Sequence, residues 1–127
     1  MRRITLLGKW LFILPFAMYV LLHFTKADTG ADFVPGWLPF PYFWNYATGL
    51  CVTAFIVSAS IGKYDTLAAL LMALYVFLMI LLVHLPRAAS DEQDLLNIFR
   101  NLSVTGAMLI YARYVARDRR LAWKPES

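Results

Sequence analysis

The side chains best suited to chemistry close apolar runs. His84 follows seven apolar residues in FLMILLVHLPR (residues 77–87), and His23 nearly ends PFAMYVLLHF (15–24). An imidazole so placed is either a helix-end residue reaching water or part of a site. It donates, accepts and titrates near neutrality. Asn45, Tyr46 and Thr48 open one apolar run, and Asn97, Arg100 and Asn101 open another. On a helix, Asn45, Thr48 and Gly49 share a face, as do Phe16, Tyr19 and His23, and Asn97, Arg100, Asn101 and Val104. In lipid such faces turn inward. They could hold a quinone-like or other amphipathic molecule: His23 and His84 as donors or proton carriers, Arg100 on an anionic group, Asn45, Asn101 and Tyr46 orienting. Two imidazoles at one depth also suit axial ligation of haem b, a pattern of low specificity that ranks below a quinone site. Against any site stands a network in which these groups bond only one another, with Asp91, Glu92 or Asp94 folding back on Arg100. A single cysteine, Cys51, excludes an internal disulfide, a CxxC pair and CxxCH haem attachment. No metal-ligand pattern is present.

The elements that carry these residues are apolar helices. Of 127 residues, 61% are apolar and 16% charged, against ~45–50% and ~25% in soluble domains. Mean hydropathy is +0.59. Four apolar segments, at about 4–24, 43–61, 64–85 and 95–116, each approach the ~20 residues that cross a hydrocarbon core. The expectation is one all-α, integral-membrane domain over 1–127, a four-helix bundle. The third segment is clearest, without a charge from Leu67 to Val83; the fourth is weakest, with Asn97, Arg100 and Asn101 in its first turns. Pro15 should kink the first helix. The basic start and apolar middle of that helix also fit a signal peptide, but the run is long and aromatic and its nearest cleavage site, in TKADTGA, is poor.

Lysines and arginines set the orientation. Arg2, Arg3 and Lys9, the Lys63 turn, and Arg113, Arg117, Arg119, Arg120 and Lys124 mark one side; Lys26 and Arg87 lie in longer, acid-bearing loops on the other. Both termini should face the cytoplasm. His23, Asn45, His84, Asn97, Arg100 and Asn101 then share one level near the outer surface, where a polar pocket is expected. FVPGWLPFPYFWNY (33–46) reads as an interfacial aromatic belt or, second, as a lid over that pocket. The net charge of +4 and pI near 9.4 fit anionic lipid rather than nucleic acid, and the tail RDRRLAWKPES fits lipid head groups.

The order and spacing of PFAMYVLLHF, VPGWLPFPYFWNYATG (34–49), HLP (84–86) and RNLSVTGAMLIYA (100–112) resemble the DoxX family, relatives of the small DoxD-type subunit of thiosulfate:quinone oxidoreductase. The resemblance covers almost the whole chain. It implies a four-helix protein of the bacterial inner membrane, multi-pass with both termini inside, linked to redox chemistry through quinones or an oxidoreductase partner. Positions shared with the family are His23, Tyr46, Gly49, His84, Arg100 and Asn101. Many relatives carry a glutamate just after the second-span glycine, where this chain has GLCVTAF (49–55). The resemblance implies an oxidoreductase subunit, yet the chain has no catalytic motif of its own. The alternatives are a structural or assembly subunit of a membrane complex, a homo-oligomer among them, and a small transporter, which the apolar cytoplasmic half disfavours.

Overall fold

The computed structural model describes residues 1–121. Its regular structure is all helix, with no strand among the described residues. Four helical stretches, Arg2–Thr25, Pro41–Ile61, Asp65–Arg87 and Glu92–Val115, are long and apolar enough to cross a membrane. With this much apolar surface exposed, the protein belongs in a lipid bilayer. Residues 122–127 of the basic tail, Lys124 among them, lie outside the described residues. The chain divides into two units, Met1–Ile61 and Gly62–Ser127, and each holds two of the apolar helices, packed antiparallel.

In the first unit, α1 (Arg2–Thr5), α2 (Gly8–Ile13) and α3 (Phe16–Thr25) form the first stretch. The break falls at Leu14 and Pro15, as the missing proline N–H requires. Ala17 and Met18 there bond three residues back, to the Leu14 and Pro15 carbonyls, at 3.0 and 3.1 Å. The short α4 (Ala27–Asp32) follows, and α5 (Pro41–Ile61) begins on a proline, whose fixed φ suits the first helical position. Asn45, Gly49, Val52, Phe55 and Ala59 form the buried stripe of α5, at spacings of three and four. Phe16 meets Phe55 edge-on at 5.6 Å. Nearer the α4 end, Gly49 lets α5 approach α3 closely. A Cβ built there would lie 3.0 Å from the Phe24 ring and 3.1 Å from the His23 Cβ.

In the second unit, α6 (Asp65–Met79) runs into a π-helical turn, Ile80–His84, and then α7 (Leu85–Arg87). The returning helix is α8 (Glu92–Ile110), which ends in a second π-helical turn, Tyr111–Val115. Ala69, Met72, Ala73, Val76, Ile80 and Val83 give one apolar stripe; Met108, Tyr111, Ala112 and Ala116 are buried on the other helix. The open end of this hairpin is held by carboxylates as well as by apolar packing. Asp65 is fully buried and accepts the backbone N–H groups of Arg117 (3.0 and 3.2 Å) and Asp118 (2.8 Å). Asp118 in turn accepts the Tyr64 N–H at 2.7 Å and the Arg120 guanidinium at 2.7 to 3.1 Å. Tyr64 carries φ +55°, uncommon for a side chain of its bulk. The Asp118 bond and the Arg120 guanidinium, 4.3 Å from the Tyr64 ring, hold it there.

The Arg120 guanidinium, then the Tyr64 and Arg120 N–H groups, hold the Asp118 carboxyl far below its ordinary 3.8. The carboxylate's contribution to stability is therefore complete above pH 3.8 and fades as the pH drops below it toward the native value. Asp118→Asn should lower the thermal midpoint in detergent at pH 7, and the gap from the parent should narrow at pH 3. A second comparison checks the α3–α5 contact. Gly49→Ala should cost on the order of 1–3 kcal/mol by overpacking. Gly106→Ala, in α8 where a Cβ would have nothing within 4 Å, should leave the midpoint unchanged or raise it.

Candidate functional site

His84 is the last residue of the first π-helical turn. Two residues on, Pro86 offers no N–H, and its ring presses on the carbonyl four positions back. The wider turn, with its ladder reaching five residues, absorbs that misfit. Ile80, Val83 and His84 are buried in this turn, so the imidazole points into the hairpin. The chain turns at Ala88–Ser90, and Asp91 caps α8 by accepting the Gln93 N–H at 2.8 Å. Three residues after that cap stands Asp94, 3% exposed, in the first turn of the helix, where the aligned peptide dipoles favour an anion.

His84 and Asp94 meet: Nδ1 lies 2.7 Å from Oδ1. The other oxygen, Oδ2, lies 3.4 Å from the Arg87 Nε. A carboxylate only accepts, so the imidazole donates through Nδ1–H, and in neutral His84 the lone pair resides on Nε2. Asp94 thereby fixes ring orientation and tautomer. This is the arrangement of a base or of a hydrogen-bond acceptor held ready for a ligand.

The first unit uses its polar residues differently. A backbone break at Lys26 (φ −120°, ψ 46°) separates α3 from α4 and leaves the His23 carbonyl in the last turn of α3. The Asn45 Nδ2 donates to that carbonyl at 2.7 Å. Its Oδ1 is buried without a hydrogen-bond partner and lies against Gly30, where a Cβ would collide with it. Asn45 thus braces a broken helix. The His23 Nδ1–H donates to the Tyr19 carbonyl at 2.6 Å, again assigning the lone pair to Nε2. Tyr46 stacks on Phe24 at 5.8 Å, Tyr42 donates to Asp28, and Thr48 is half-buried beside the stripe.

The fold brings His23, Asn45 and Gly49 together in one unit. In the other, His84 joins two residues that were not singled out as a site, Asp94 and Arg87. Arg100 is exposed, and Asn101 is half-buried with its carbonyl accepting the Thr105 hydroxyl at 2.8 Å. Asn97 accepts from the Gln93 amide at 3.3 Å. The acid of this loop that folds back does so on His84 and Arg87 rather than on Arg100. Asp94 and Arg100 are six residues apart on α8 and so project from well-separated faces, ~9 Å apart along the axis. The available signal was DEQD before an apolar run: a cap, then an acid three residues on, across a short loop from a histidine. Among the described residues no three His, Cys, Asp or Glu side chains gather to hold a metal.

The assignment of Asn45 as a brace carries its own check. Asn45→Leu removes the donor from the His23 carbonyl and should cost about 1–3 kcal/mol, the usual penalty for an orphaned buried polar group. Asn45→Gln, which keeps the amide but lengthens its stem, should be the milder change. Thermal midpoints in one detergent decide it.

No protein-family model, no curated protein and no solved structure matches this chain.

Proposed function

We propose that this chain is a DoxX-like subunit of the bacterial inner membrane, with both termini in the cytoplasm, and that it binds a quinone-like molecule at the His84 end of its second hairpin. The observation that carries this reading is the buried His84–Asp94 pair with Arg87 beside it. Neutral His84 accepts a quinol hydroxyl at Nε2, and the protonated ring donates from Nε2 to a quinone carbonyl while Asp94 holds Nδ1. The chain contributes binding and a proton, and electrons come from an oxidoreductase partner. His23, with its Nδ1 committed to Tyr19, offers a second Nε2 in the first hairpin.

A second reading makes the pair a latch that only joins the ends of α7 and α8 in an assembly subunit. It is favoured by the use of both Asp94 oxygens. The two readings part on one comparison. A water-soluble short-chain quinone is titrated against the detergent-purified chain and His84→Phe, with the thermal midpoint of each recorded, and molecules extracted from the parent are identified by mass spectrometry. The site reading expects a bound quinone and at least tenfold weaker binding by the variant. Equal binding by a folded His84→Phe variant sinks it, and a lower midpoint with no quinone bound by the parent selects the latch.

A further inference from the structure

The other end of the second hairpin holds a groove of about 490 Å³, lined among others by Thr66, Leu70, Leu109, Arg113, Tyr114 and Arg119. Three independent features describe what would fill it. The first is position. One apolar stretch begins at Asp65 and the other ends at Val115, so the groove straddles the level where apolar helix gives way to polar chain.

The second is charge. Asp65 is turned to the Arg117 and Asp118 amides, and Asp118 is engaged by Arg120. Among the described residues no carboxylate pairs with Arg113 or Arg119. Arg119 is fixed by donating Nη1 to the Ala112 carbonyl (2.6 Å) and Nη2 to that of Arg113 (2.7 Å). That leaves three of its five N–H groups to give elsewhere. Arg113 lies 5.6 Å from the Tyr114 ring and is exposed.

The third is Thr66. It is 6% exposed, it lines the groove, and its buried hydroxyl has no hydrogen-bond partner. A hydroxyl withdrawn from water and left unsatisfied is costly. A turn of the Thr66 side chain toward an acceptor in the groove would relieve it.

From these features we infer that the groove binds the phosphate of an anionic phospholipid. Arg113 and Arg119 supply the charge, the Thr66 hydroxyl donates to a phosphate oxygen, and an acyl chain lies along Leu70 and Leu109. The wall is amphipathic in the required order, cationic at the end of the spans and apolar along them. A free phosphate would satisfy the polar end but would leave the apolar wall unused.

The test uses the full chain, purified in mild detergent and exchanged into phosphatidylcholine with a minor share of phosphatidylglycerol. Lipid retained on the protein is counted by native mass spectrometry. Phosphatidylglycerol should be retained at least fivefold over its share. Thr66→Val, which removes the hydroxyl and keeps the shape, should cut that enrichment two- to threefold, and Arg113→Gln at least fivefold, at unchanged thermal midpoints. Millimolar inorganic phosphate should displace none of it. Retention that follows the lipid mixture regardless of head-group charge overturns the inference in the parent protein itself, whatever the variants do. Enrichment untouched in both folded variants overturns the site, and displacement by millimolar phosphate replaces the lipid with a free anion.

Discussion

A chain this apolar has few places to put a backbone N–H or C=O that its helix cannot satisfy, and that constraint organises the structure. At three places where the helical ladder stops, a side chain meets the exposed backbone groups. The Asn45 amide meets the His23 carbonyl at the break between α3 and α4. Asp65 meets the Arg117 and Asp118 N–H groups, and Arg119 meets the Ala112 and Arg113 carbonyls where the fourth stretch ends. In water such groups would be solvated at little cost; in hydrocarbon an unmet one costs several kcal/mol. The polar residues of this sequence are few, and several of the buried ones are spent on the backbone.

That use separates the two histidines from the rest. The Asn45 amide shows such a commitment: its Nδ2 is spent on the His23 carbonyl and its Oδ1 is buried against Gly30. An imidazole has two nitrogens, and both His23 and His84 commit only Nδ1. The commitments differ in kind. His23 donates to a neutral carbonyl of its own helix, whereas His84 donates to a buried carboxylate on the neighbouring helix. Only the second arrangement gives the imidazole a charged partner that fixes its ring orientation and tautomer from across the hairpin. The proposed chemistry rests on His84 for this reason.

The four apolar stretches were legible because length and hydropathy alone define them. The break at Pro15 and the Asn45–Gly49 face were legible from local rules, a missing N–H and a period of 3.6. What escaped was carboxylate pairing. Asp94 lies ten residues from His84 across a turn, and charge counting groups it with Asp91 and Glu92 as an acid that could fold back on Arg100. Its burial follows from where the turn returns the chain, and Pro86 and the π-helical ladder set that return. Asp65 was hidden in the same way. Beside Lys63 it reads as one charge in a short turn, while its function depends on residues more than fifty positions away. Side chains that serve backbone across a hairpin leave no periodic trace in sequence.

The clasp at the Gly62–Tyr64 turn has a consequence for how the protein is made. Asp65 and Asp118 are each satisfied from within the second unit, and the Asn45 brace is satisfied from within the first. Each pair of helices therefore carries the partners that its own broken backbone requires. A nascent chain organised this way can enter the bilayer two helices at a time, the first pair complete before the second has left the ribosome. The contacts that close the second pair wait for residues 117 to 120, so translation must run past the fourth helix before that pair can close.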